Sequence, residues 1–70
     1  MRLVKSITIP NVKLPYCVVV SFDGDSKFLR KELVGRYDQR NISCQIERYT
    51  SIATINFRNE IDAADFLMRI

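Results

Sequence analysis

Apolar and polar residues alternate most cleanly between residues 42 and 57. Ile42, Cys44 and Ile46 interleave with Ser43, Gln45 and Glu47, and Ala53, Ile55 and Phe57 interleave with Ile52, Thr54 and Asn56. A period of two on each side of Tyr49-Thr50 predicts an antiparallel hairpin with one wet face. Residues 2–9 show the same period around Leu3, Ile7 and Ile9, with Val4, Ser6 and Thr8 opposite. This predicts a strand, with Lys5 a polar defect on its buried register. Pro10 cannot donate to a ladder and closes it. Tyr16 to Phe22 is β-rich and apolar on both faces through Val18, Val19 and Val20, the pattern of a central strand.

Two stretches carry the longer helical period. Phe28, Leu29, Leu33 and Tyr37 form an apolar stripe that predicts a helix over 26–37, with Lys27, Arg30 and Lys31 off it. Either Asp25 or Ser26 is placed to accept the orphan N–H groups of its first turn. Glu32 and Arg36 stand four apart and can pair, and Gly35 weakens or ends the last turn. A second helix follows Asn59, with Asp62 in a capping-box-like position three residues on. Glu60 and Asp62 suit its positive N-terminus and Arg69 its C-terminus. Ala63, Phe66, Leu67 and Ile70 line its buried side.

The order is therefore ββαββα in one domain, residues 1–70. Elements with one apolar face each are best buried as a single four-stranded antiparallel sheet with two helices on one face, an α+β fold. A right-handed crossover from the 16–22 strand through the first helix leaves one slot, which the 52–57 strand fills antiparallel to both neighbours. That is the split βαβ arrangement of ferredoxin-like domains.

From Tyr16 to Ile70 the chain resembles an RNA-recognition motif, best at Ala53-Thr54-Ile55-Asn56-Phe57 followed by Ile61-Asp62-Ala63. The resemblance implies a fourth strand after the second helix, where this chain ends. The N-terminal strand, joined by a short loop to Tyr16–Phe22, is placed to occupy that edge as a permuted fourth strand. The family stacks bases on aromatics of its first and third strands. The matching positions here are Cys17, Val19, Ile52 and Thr54, none able to stack a base. Tyr49 is the one aromatic expected to be open on the sheet side.

Composition narrows the chemistry. Seventy residues with 47% hydrophobic letters are enough for one core, and a domain this small buries only about 60% of its unfolded surface. There is no histidine, so imidazole-based zinc sites and serine or cysteine–histidine catalysis are excluded. No apolar run approaches the ~20 residues of a membrane-spanning helix, and no signal-peptide core follows Arg2 and Lys5. Cys17 and Cys44 alternate onto opposite faces, which argues against a disulfide and for a cytoplasmic location. Asp23-Gly24-Asp25 reads as a turn, since the remaining ligands of a calcium loop are missing. No cofactor, metal or catalytic set is expected, and an enzyme is not.

Two surfaces remain as candidates. The open sheet face is expected to carry Val4, Cys17, Val19 and Ile52 near its middle, with Tyr49 near the hairpin turn and Ser6, Thr8, Ser21, Ser43, Gln45 and Thr54 around them. A mildly apolar centre with a polar rim resembles a protein-binding patch. The net charge is +3, and Lys27, Arg30 and Lys31, with Arg36 and Arg40, could form a basic strip along the first helix, while Glu60, Asp62 and Asp65 give the second helix the opposite sign. The leading expectation is a small non-catalytic regulatory module binding a protein partner. Viral or mobile-element modulators of host machinery, such as nuclease inhibitors, share its size. The alternatives are a single-stranded RNA or DNA binder using the basic strip with Arg2, Lys13, Arg48 and Arg58, and a homodimer subunit. No membrane partner is expected.

Overall fold

Three consecutive valines set the centre of the sheet, because a strand apolar on both faces is stable only between two others. In the computed structural model, which describes residues 1–24 and 26–70, the elements are β1 (Arg2–Thr8), β2 (Tyr16–Ser21), α1 (Ser26–Arg36), a 3₁₀ turn (Gln39–Asn41), β3 (Ile42–Glu47), β4 (Ile52–Phe57) and α2 (Glu60–Met68). The strands form one four-stranded sheet in the order β1-β2-β4-β3. Each neighbouring pair is antiparallel. The α+β class, the single antiparallel sheet and the two helices expected from the hydrophobic pattern are present. Asp25, one of the two expected caps of α1, lies outside the described residues.

One face of the sheet carries the core. Val18 pairs with Ile55 and Val20 with Ala53 across β2 and β4, while Ile42 and Cys44 of β3 stand opposite Phe57 and Ile55. Leu29 and Leu33 of α1, and Ala63 and Phe66 of α2, join these residues in one cluster, so both helices cover the same side. Phe57 is fully buried at the middle of it. Its ring meets Tyr37 edge-on at 5.4 Å between centroids and Phe66 in a tilted contact at 5.7 Å. Each aromatic pair adds about 0.5–1.5 kcal/mol beyond area burial. The Tyr37 hydroxyl donates to Asp65 Oδ2 at 2.8 Å, and Asp65 also pairs with Arg69 at 3.1 Å, which ties the chain after α1 to α2.

Three local expectations need correction. Phe28 is 79% exposed. Residues 29, 33 and 37 stand four apart and form the buried line, and position 28 is rotated off it by one residue's turn of the helix. The proposed capping box at α2 does not form. Asn59 is the N-cap without a side-chain cap bond, and its Nδ2 donates instead to Asp62 Oδ2 at 3.4 Å.

The third correction concerns β1. Leu3 stands opposite Val20 on the helix side, but Ile7 stands opposite Cys17 and Lys5 opposite Val19, both on the open side. Ser6 and Thr8, opposite Val18 and Tyr16, therefore face the helix layer rather than the open face. The register shifts between Leu3 and Lys5, so Val4 is an extra residue that switches the faces beyond it. All seven residues of β1 are exposed. Its alternation does not report burial, and what looked like a defect at Lys5 is a solvated position.

Candidate functional site

The sheet face opposite the helices is built by the pleat. From β2 it takes Cys17, Val19 and Ser21, and from β4 Asn56, Thr54 and Ile52 opposite them. Ser43, Gln45 and Glu47 extend it across β3. Neutral side chains thus fill its middle, with Arg2 and Lys5 on the β1 side and Glu47 on the far side.

Of the expected apolar centre, Cys17, Val19 and Ile52 lie on this face and the first two are closed, whereas Val4 is the bulged residue of the edge strand. Cys17 is 6% and Val19 8% exposed, although no helix covers them. Their cross-strand neighbours do so: Ile7 and Asn56 flank Cys17, and Lys5 and Thr54 flank Val19. Ile52 and Thr54 are half-buried beside them. Tyr49 is 98% exposed, in the turn beyond the end of β3 rather than over the face. No aromatic occupies an open-face position of β2 or β4, so this surface has nothing on which a base would stack.

Exposed apolar side chains also run along β1 and the loop after it, on both sides of the strand. Met1, Leu3, Val4, Ile7, Ile9 and Val12 are all exposed. The same stretch is basic, since Arg2, Lys5 and Lys13 are its charged side chains and residues 1–22 contain no Asp or Glu. Sequence reasoning included Val4 and missed Ile7. The signal for Ile7 was there as an exposed β-branched residue on an edge strand, but the Val4 bulge hides its direction.

Two residues of the expected basic strip are ion-paired. Arg36 pairs with Glu32 at 3.3 Å, as the four-residue spacing predicts. Arg40 lies on the 3₁₀ turn and grips Asp38 at 2.8 Å, which pulls that carboxyl down to about 2 through the hydrogen bonds of Arg40. Lys27, Arg30 and Lys31 are exposed on the first half of α1. There Lys27 and Arg30 line an open cavity of about 470 Å³ with Arg48, Ser26 and Ser51. Arg48 comes from the β3–β4 turn, brought to this end of the molecule by the hydrogen bond from Phe22 N–H to the Ser51 carbonyl.

The cysteines are free thiols on opposite faces. Burial pushes the Cys44 thiol up, against a smaller opposing pull from Arg30, which suits packing rather than nucleophilic attack. Among the described residues no group of three or more cysteines and carboxylates is placed to hold a metal ion. Among them, no helix is long and apolar enough to cross a membrane. Compared with protein-family models, curated proteins and solved structures, the chain matches none.

Proposed function

We propose that this chain is a non-catalytic, regulatory protein-binding module whose contact surface is the open sheet face, centred on its β1 side. The observation that carries the reading is the exposed apolar surface of Val4, Ile7 and Ile9 along the β1 border of the sheet, where Ile7 stands on the open side with Arg2 and Lys5. Fully burying each such side chain is worth about 1.5–3 kcal/mol, so a few of them suffice for a specific contact. The partner surface this favours is apolar at its centre and acidic at its rim.

The test is capture of the partner from nuclease-treated native lysate, identified by mass spectrometry, with Ile7→Asp and Ile52→Asp beside the unaltered chain. Val34→Asp, on the exposed side of α1, serves as control. Both sheet-face variants should lose the partner while keeping the circular dichroism spectrum and melting point of the parent. Capture by both at the parent level would sink the reading. Val19 is unsuitable for this purpose, because a carboxylate there would be buried.

A second reading, contact with single-stranded nucleic acid, draws on the convergence of Arg30 and Arg48 on one cavity. It predicts affinity for mixed-sequence RNA that falls steeply with salt and weakens in Arg30→Glu and Arg48→Glu. A titration at low salt showing no binding removes it.

A further inference from the structure

We infer that the outer edge of β1 accepts an extended segment of a partner protein as a fifth strand, and that this segment alternates acidic with aliphatic side chains. The inference rests on the protein-binding reading and names the chemistry of its partner. Ile9 N–H donates to the Pro15 carbonyl at 2.8 Å, so in the antiparallel ladder Ile9, Ile7 and Lys5 turn their backbone groups toward β2. The intervening Ser6 and Thr8 turn theirs outward. Among the described residues β1 pairs only with β2, so the outward N–H and C=O groups of these two residues form a ready ladder for one more strand.

The two sides of that edge differ, which sets the pattern of the strand that fits. On the open-face side Ile7 stands with Arg2 and Lys5, and the two cations are suited to carboxylates. On the helix side Ser6 and Thr8 line a groove of about 190 Å³ together with Glu60, Ala63, Ala64 and Leu67 of α2. Aliphatic side chains suit that groove. Successive residues of a strand point to opposite faces, so one strand satisfies both sides only by alternating the two types.

Charge also selects against the simplest rival, a second copy of this chain. Each copy would bring Arg2, Lys5 and Lys13, and no carboxylate from residues 1–22, to the shared edge. The Val4 bulge further shortens the regular run available for self-pairing. The edge thus repels its own kind and admits an acidic strand.

The probe is a fluorescein-labelled ten-residue peptide of alternating glutamate and valine, compared with its lysine–valine counterpart by anisotropy. The glutamate peptide should bind saturably and the lysine peptide at least tenfold more weakly. Lys5→Glu should weaken the first and strengthen the second. Bound peptide should slow amide exchange at Ser6 and Thr8. Ser6→Pro, which removes an outward donor and leaves the β1–β2 ladder intact, should abolish binding. Equal binding of the two peptides, unchanged exchange at Ser6 and Thr8, a chain that sediments as a dimer with those amides already protected, or peptide-independent binding to phosphatidylserine vesicles would each overturn the inference. Partner capture lost in Ile7→Asp but indifferent to Ser6→Pro would overturn strand addition alone and leave the open-face reading standing.

Discussion

Tyr37 joins the end of α1 to the rest of the molecule through one ring and one hydroxyl. The ring packs on Phe57 and the hydroxyl donates to Asp65. Burial, reinforced by the Asp65 carboxylate, pushes its phenol up to about 12 from an ordinary value near 10. The neutral form is therefore the one the fold holds. Its contribution is complete below pH ~10 and fades as pH rises toward 12. Tyr37→Phe should cost about 0.5–1.5 kcal/mol in urea denaturation at neutral pH, and the loss should shrink between pH ~10 and ~12. Asp65 runs the other way: Arg69 first, then Tyr37, hold its carboxyl below the usual range. What it contributes is present above that range and is lost on acidification, so raising salt at neutral pH should weaken only its exposed Arg69 partnership. At this scale the sequence was readable where spacing alone decides, as at Glu32 and Arg36. It was not readable at Phe28, because hydrophobicity ranks Phe28 with Leu29 and only the arc that a sheet can cover separates them.

The elements differ in how firmly they are held. β2 and β4 lie between other strands and beneath both helices, whereas no residue of β1 enters the core cluster. Amides of Lys5, Ile7 and Ile9 should therefore exchange through a lower-energy local opening than those of Val18, Val20 and Ile55, measured by native-state hydrogen exchange. Exchange at one common rate for both sets would contradict this. The β3–β4 turn stores a small strain, because Ser51 sits at φ 56 while its carbonyl receives the Phe22 N–H. Ser51→Gly should raise stability by about 0.5–1 kcal/mol, read as a higher melting temperature with the turn unchanged. Element boundaries and types were legible because periods of two and about 3.6 are unambiguous over six or more residues. The facing of β1 was not, since a single bulged residue inverts every position after it and leaves no mark in the alternation of an exposed edge strand.

For the molecule as a whole, the two faces of one sheet have opposite fates. The helix-covered face was predictable nearly residue by residue, because Val18, Val20, Ala53, Ile55 and Phe57 must be hidden together. The open face was predictable in membership across β2, β3 and β4 but not in accessibility: Cys17 and Val19 are hidden by neighbours whose register no composition rule supplies. The charge asymmetry was legible from the start, with no carboxylate before Asp23, yet it acquires direction only once β1 is seen at the border of the sheet. The strand order has one more consequence. β1 meets β2 across a short loop, and β3 meets β4 across another, but β2 meets β4 only after α1 and β3 have intervened. The sheet is two zippers closed separately and then sewn together along a single seam. Cutting the chain after Gly24 would leave one zipper on each fragment with the stitching residues undamaged, so the two pieces should reassemble when mixed.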